Sequence, residues 1–363
     1  MNFPIAIYNR ERPNRFLAAV SPILAVILTL ALGGAIFAMV GKEPLYSLYV
    51  FCVEPLLTLR GWGELGVKMT PLILCALGLV VCYRANIWNI GAEGQLIIGA
   101  LCGGYVALQA SPDQSGLFMI WVILASIVGG ALYASITAWL RDKCNANEIL
   151  VSLMLVYVAE LLLSWAVQSP LRDPQGLGFP QSPMFETAAT LPIMIPGTRM
   201  HWGGGLVVIS LFLIWLIMSK MFIGFQVRVA GLAPKASSYA GFSNRAMIYF
   251  ALLLSGALAG LAGVIEACGP IGQLTPKISP GYGFAAIIVA FVARLKPLGT
   301  VPAAFVMALF YLGGELAQSR LGTPAALTGV FQGLLLFCIM VCDSMIFCRF
   351  RWVGFGNWKK EAA

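Results

Sequence analysis

Three hydrogen-bonding side chains stand close together in the segment NIWNIGAEGQLIIGA, residues 86–100: Asn89, Glu93 and Gln95. Carboxamides donate and accept hydrogen bonds, and a carboxylate accepts them or takes up a proton. Gly91 and Gly94 permit a close neighbouring backbone, or a helix break that exposes amide groups. On a helix, Asn89 and Glu93 would share one face, being four positions apart. The segment therefore predicts either the wall or gate of a route for a polar solute, or a packing site in which Glu93 binds freed backbone groups.

The surroundings of this polar segment are strongly apolar. The 363 residues are 60% hydrophobic and only 10% charged, and their mean hydropathy is +0.87. Soluble domains carry about 25% charged residues, so this chain has too few charges to cover a water-facing surface. Repeated apolar runs of about 20 residues are typical of membrane helices. The composition predicts an all-α fold, a polytopic transmembrane helix bundle in which a buried ionisable group is a candidate functional residue.

About ten spans are predicted within a single transmembrane domain, 1–363. The eighth is too short to cross a hydrocarbon core of about 30 Å on its own, which indicates a half-helix buried in protein. A shift of 190 residues aligns Gly91 with Gly281 and Ala100 with Ala290, a faint inverted repeat with broken or short helices, as in many transporters. The predicted spans are 16–40, 63–83, 87–109, 117–140, 147–168, 203–222, 246–268, 282–295, 299–317 and 325–347.

The basic residues predict the orientation. With the N-terminus inside, 16 of the 23 Lys and Arg residues fall on the inner side and 7 on the outer side, as the positive-inside rule requires. We therefore expect a membrane protein with cytoplasmic tails at 1–15 and 348–363, an outer loop at 169–201 and a cytoplasmic segment at 223–245. The basic residues are scattered, so the net charge of +8 does not indicate nucleic-acid binding.

Further pathway candidates lie at the inner start of the fifth span: Asn147, Glu148 and Ser152. A helix N-terminus favours carboxylates, so a helix cap with an interfacial ion pair is the alternative explanation for Asn147 and Glu148. His201 is the only histidine and has no ligand partner at metal-like spacing, so no metal site is predicted.

Four motifs resemble one family of ABC importers, the branched-chain amino acid, ribose and nucleoside-type permeases. NIGAEGQ, NEILVSLMLVYVAELLL at 147–163 and GYGFAAIIVAFVARLKPLG at 281–299 are similar to signatures of its nucleoside and simple-sugar branch. GFQVRVAGLAPKASSYAGFS resembles the segment that couples such permeases to their ATPase. Ala233 and Val156 depart from the family pattern, where Asn is usual. By this resemblance, the ATPase-coupling residues are Gly224, Arg228, Gly231, Tyr239, Ala240 and Gly241.

The source of energy is expected to lie outside this chain. Its only Gly-Lys pair, Gly41-Lys42, is followed by Glu43 and does not form a phosphate-binding loop. The chain is thus predicted to be a non-catalytic subunit without a cofactor, and the resemblance implies a cytoplasmic ATPase that binds ATP and Mg²⁺, a second homologous permease, and an outer substrate-binding protein. The alternative is an ion-coupled secondary transporter or channel that acts without an ATPase, using Glu93 and Glu160.

Overall fold

The computed structural model describes residues 5–9, 15–176 and 178–352. Residues 1–4, 10–14 and 353–363 of the predicted tails, and Leu177 of the predicted outer loop, lie outside the described residues. Within the described part the chain is helical apart from one short pair of strands, which confirms the all-α fold class. The helices are α1 (Arg15–Met39), α2 (Pro44–Cys52), α3 (Leu59–Arg84), α4 (Ala92–Ala107), α5 (Phe118–Cys144), α6 (Glu148–Gln168), α7 (Gly203–Lys220), α8 (Phe222–Leu232), α9 (Pro234–Tyr239), α10 (Asn244–Glu266), α11 (Tyr282–Val292), α12 (Thr300–Leu321) and α13 (Ala326–Phe347).

Eight of these helices are long and apolar enough to cross a membrane, namely α1, α3, α5, α6, α7, α10, α12 and α13. The predicted third and eighth spans are the shorter helices α4, of 16 residues, and α11, of 11 residues. At 1.5 Å per residue they reach only about 24 Å and about 17 Å. The polytopic bundle with two short helices is therefore confirmed.

Several boundaries differ from the prediction. The third span was expected over 87–109, but its helix begins only at Ala92, and the chain from Ile87 to Ile90 is non-helical. The eighth ends at Val292 rather than near 295, where Arg294 and Leu295 adopt positive φ angles of 52° and 54°. Helix α2 was missed, because nine residues starting at a proline are too few to show helical periodicity.

The described chain forms two compact units. The first comprises the residues up to Val53 and those from Gly313 onward. Its core contains a cluster of three aromatic rings, with Phe51 stacked on Phe331 at 4.4 Å between centroids and Phe37 at 5.5 Å from Phe331. In the same unit, strand β1 (Ile5–Asn9) pairs antiparallel with β2 (Cys348–Trp352), so the N- and C-terminal tails meet at one end, as an even number of crossings requires.

The second unit, from Glu54 to Leu312, surrounds helix α3, most of which is buried. Helix α10 packs against α3, α4 and α5, and small residues let these backbones approach closely. A Cβ on Gly99 of α4 would collide with Gly260 of α10, and one on Gly78 of α3 would lie 2.7 Å from the Cα of Ser255. This tightly packed group holds the two short helices α4 and α11 in place.

Candidate functional site

The first turns of the two short helices meet inside the second unit. Helix α4 starts directly after Gly91, and α11 starts after Gly281, whose φ angle is 94°. The backbone N–H of Gly283, in the first turn of α11, donates a hydrogen bond of 2.6 Å to Oε2 of Glu93, in the first turn of α4. A Cβ on Gly283 would collide with the backbone nitrogen of Glu93. Only glycine allows this close approach.

Glu93 completes the N-terminus of α11. Its side chain is only 3% exposed, and its carboxylate also contacts the hydroxyl of Ser279. The oxygen of Ser279 in turn accepts hydrogen bonds from the N–H groups of Gly281 at 3.1 Å and Tyr282 at 3.0 Å. The first N–H groups of a helix have no partner within it and form the positive end of its dipole. The side chain of Glu93 therefore accepts hydrogen bonds from groups that helix α11 leaves without a partner of its own.

Asn89 and Gln95 form a second buried hydrogen-bonding group. Each donates to the other, with distances of 3.1 Å and 3.2 Å, while Asn89 also donates to Ser255 at 3.0 Å and accepts from the N–H of Gly91 at 3.0 Å. The prediction that Asn89 and Glu93 share one helix face is wrong. Asn89 precedes helix α4, and its side chain is hydrogen-bonded to Gln95 in the first turn of α4. Glu93 instead contacts α11.

The candidates of the fifth span lie apart from one another. The hydroxyl oxygen of Ser152 is buried and accepts from the N–H of Ile90 at 3.2 Å, so it joins the start of α4. Asn147 instead caps α6 by accepting from the N–H two residues on, at 2.9 Å, and Glu148 forms an ion pair of 2.7 Å with Arg141. The structure thus brings Ser152, but not Asn147 and Glu148, to the helix junction.

The predicted coupling segment consists of α8 and α9. Helix α9 lies within the predicted cytoplasmic segment, but α8 was missed because it follows α7 with a single intervening residue. Gly224 lies against α7, with its Cβ position 2.7 Å from the Cα of Met218, and a Cβ on Gly231 would collide with the carbonyl oxygen of Arg84 at the end of α3. Arg228 donates to the carbonyl of Gly224 at 3.2 Å. Helix α8 is therefore seated on α7 and α3.

The tip of this segment is exposed and partly apolar. Tyr239 is 93% exposed and Leu232 is 87% exposed. Ala240 and Gly241 beside them are also exposed, and Gly241 has a φ angle of 80°, a turn that favours glycine. The tip belongs to the segment that resembles the ATPase-coupling motif, and its exposed side chains make it a candidate contact surface.

These features agree with the comparison to known families. A family model described as "Branched-chain amino acid transport system / permease component" matches residues 64–340. The chain belongs to this family of permeases. It is the membrane-spanning permease subunit of an ATP-binding cassette transporter.

The sequence similarity to three relatives covers most of the permease. It is 35% identical to the glucose ABC transporter permease protein TsgB13 of Haloferax volcanii, covering 97% of this chain and 94% of that protein. It is 26% identical to the nucleoside ABC transporter permease protein NupB of Lactococcus lactis, over 88% of this chain and 90% of the relative. The guanosine ABC transporter permease protein NupP of Bacillus subtilis is likewise 26% identical, with coverage of 88% and 92%.

Sequence analysis missed some residues at the junction of the two short helices, among them Ser255, Ser279 and Gly283. The 190-residue shift contained a usable signal, because it places Glu93 opposite Gly283, its hydrogen-bond donor. Arg84 was also missed as a link. Its Nε donates to the carbonyl of Leu295 at 2.7 Å and so ties the end of α3 to the end of α11.

His201 fixes the end of the predicted outer loop of the permease. It is 4% exposed, and its Nδ1 accepts from the N–H of Gly203 at 3.2 Å. Burial, with a smaller contribution from the nearby charge of Arg199, lowers the pKa of His201 to about 4. The folded loop therefore favours the neutral imidazole, whereas an unfolded histidine has a pKa of about 6.5.

We expect this difference to make stability depend on pH. Between about pH 6.5 and the lowered folded pKa of about 4, the unfolded state binds the proton of His201 and the folded state does not, so stability falls as the pH falls. Melting temperatures of the purified permease at pH 7 and pH 4.5 measure the effect. In His201→Asn, whose amide oxygen still accepts from Gly203 but does not titrate, the decrease should be smaller. A decrease equal to that of the wild type would show that His201 does not cause the pH dependence.

Proposed function

We propose that this permease imports a nucleoside or a simple sugar across the bacterial cytoplasmic membrane. The names of its relatives support this substrate class, since TsgB13 is named for glucose, NupB for nucleosides and NupP for guanosine. In this proposal it acts with a cytoplasmic ATPase that binds ATP and Mg²⁺, a second homologous permease and an outer substrate-binding protein, and it contacts membrane lipid elsewhere.

The proposed orientation has both tails in the cytoplasm. The excess of basic residues on that side, 16 against 7, supports it. The pairing of β1 with β2 supports the placement of both tails on one side of the membrane. The same orientation exposes α8 and α9 to the cytoplasm and the segment 169–201 to the outside.

A continuous chain of contacts is the observation that carries this function. The exposed tip at Leu232 and Tyr239 is joined through α8 to the end of α3, where Gly231 meets Arg84. Arg84 is bonded to Leu295 just beyond α11, and the first turn of α11 is bonded to Glu93. A push on the tip by the ATPase would therefore move α3 and α11 and act on the junction of the short helices.

In this mechanism the buried polar residues serve as a gate. Asn89 is bonded to Gln95 and to the N–H of Gly91, and Ser152 accepts from the N–H of Ile90, so these side chains hold the start of α4 in one arrangement. Motion of α11 would exchange these bonds and open the route to one side. Asn147 and Glu148 would lie at the inner mouth of that route, where a passing solute meets the cap of α6.

A transport panel tests the substrate class. The permease is reconstituted in liposomes with its ATPase, second permease and binding protein. Uptake of labelled glucose, guanosine and leucine is then measured with ATP on the side of the membrane where the ATPase is bound. We expect uptake of glucose or guanosine and none of leucine. Uptake of leucine alone would contradict the proposal, even though the family description mentions branched-chain amino acids.

A further inference from the structure

Glu160 occupies an unusual place on the apolar helix α6. It is the thirteenth residue of that helix, about 18 Å from its start at 1.5 Å per residue, and its side chain is exposed. Within the described part of the chain, Glu160 forms no hydrogen bond or ion pair. A carboxylate facing hydrocarbon at this depth is costly, so Glu160 must face water, a solute or another protein when the permease is in the membrane.

Other polar side chains continue from Glu160 along the same face. Tyr157, Ser164 and Gln168 stand at steps of three, four and four positions, which place them in one stripe on a helix of 3.6 residues per turn. Tyr157 is 55% exposed, and Gln168 donates to the hydroxyl of Ser164 at 2.9 Å. We call these four residues the α6 polar stripe.

The α6 polar stripe differs from the rest of the helix surface. Val156, Ala159 and Leu163 are buried against the unit, and Gly94 of α4 lies with its Cβ position 3.0 Å from the Cα of Val156. Leu162 is 40% exposed and purely apolar. The stripe is therefore distinct from the buried face of α6 and from its exposed apolar face, and its polar groups are not suited to lipid.

The two ends of the stripe lead to features already described. Glu160 is near enough to Glu93 for the two carboxylates to interact electrostatically, so the stripe passes the junction of the short helices. Two residues beyond Gln168, Pro170 begins the lining of an open cavity of about 300 Å³ that also includes Arg172 and Glu186. Polar groups thus extend from the helix junction toward the segment predicted to face outside.

We propose that the α6 polar stripe forms a wall of the transport route, where Glu160 accepts hydrogen bonds from the hydroxyl groups of a neutral, polyhydroxylated solute. The proposal rests on the proposed function. A carboxylate has two oxygens and only accepts, which suits adjacent hydroxyl groups of a sugar ring or of a ribose. Tyr157 offers an aromatic face to the apolar face of a ring, and Ser164 and Gln168 both donate and accept. Glucose and a nucleoside share this hydroxyl chemistry, and the experiment separates them.

Water accessibility is measured with single cysteine substitutions in the assembled transporter. Glu160→Cys and Ser164→Cys should react with a charged, membrane-impermeant thiosulfonate at least about tenfold faster than Leu162→Cys, because only a hydrated thiol forms the reactive thiolate. The wild-type chain, which has nine cysteines, gives the background. Saturating glucose or guanosine should slow the reaction of Glu160→Cys, which identifies the ring that occupies the stripe. Equal rates at positions 160 and 162, or protection by neither solute, would overturn the proposal in favour of a surface covered by lipid or a partner helix.

Uptake by Glu160 variants separates this inference from the proposed function. Glu160→Leu should lower uptake by about tenfold or more, as expected for loss of hydrogen bonds to a charged group, and Glu160→Gln should lower it less. Val158→Ala, at an exposed apolar position of the same helix, is the control and should transport normally. If the wild type imports neither glucose nor guanosine, the proposed function fails. If the wild type imports one of them and Glu160→Leu does so equally well, only the inference about the stripe fails.

Discussion

Replacing Glu93 by alanine should abolish transport and destabilise the permease. The substitution leaves the N–H of Gly283 and the hydroxyl of Ser279 without the carboxylate that binds them, in a site that is nearly fully buried. Unmade hydrogen bonds of this kind cost about 1–3 kcal/mol, and more when the lost partner is charged. We expect a lower melting temperature in detergent and loss of ATP-driven uptake in liposomes, because α11 is no longer fixed to the start of α4.

Two further variants make the Glu93 result specific. Glu93→Gln keeps one acceptor oxygen and should retain more stability than Glu93→Ala. Glu64→Gln removes the partly exposed ion pair with Arg199, for which a loss of about 1 kcal/mol or less is expected. If Glu93→Ala were as stable and as active as Glu64→Gln, the junction of the two short helices would have no part in transport.

Two substitutions in the coupling segment should abolish transport by breaking the link between the permease and its ATPase. Gly231→Pro places ring atoms where even a Cβ would collide with the Arg84 carbonyl, and a proline in a helix interior costs about 3 kcal/mol. Ala240→Asp instead adds a charge to the exposed tip beside Tyr239, where folding is little affected. Both should lose uptake while still inserting into the membrane, the first by displacing α8 and the second by weakening ATPase binding.

Copurification of the ATPase distinguishes the two effects. Ala240→Asp should recover much less ATPase than the wild type, whereas Ala325→Asp, the same change in an exposed loop between α12 and α13, should recover a normal amount. Full recovery and normal uptake with Ala240→Asp would show that the tip of α9 is not the docking surface. The docking surface would then lie outside the segment that resembles the family's coupling motif.

The sequence predicted the membrane helices well because hydropathy is a local property. The runs that became α1, α5 and α6 are continuous, and even the short α11 was expected from its length of apolar sequence. Helix α8 was missed because Met221 alone separates it from α7, so the apolar pattern of the two helices merges. The paired tails also supplied no sequence signal, because strand pairing between residues this distant depends on the folded chain.

The candidate site was only partly readable from the sequence. Glu93 and Asn89 stood out as polar groups in an apolar run, but their partners lie far along the chain, at Gly283 and Ser255. Helical periodicity placed Asn89 and Glu93 together, whereas the chain is not yet helical at Asn89. Sequence analysis gave Glu160 a role only in the alternative ion-coupled transporter, and its position in the middle of α6 became significant only with the exposed face known.

Transport by purified components tests the central claim most directly. The permease, with its partner permease and binding protein, is placed in liposomes with and without the ATPase, and solute uptake is followed under ATP or under an imposed proton or sodium gradient. We predict uptake only when the ATPase and ATP are both present, since the force on α9 would come from that partner. Accumulation driven by an ion gradient in liposomes that lack the ATPase would contradict this account and favour an ion-coupled transporter.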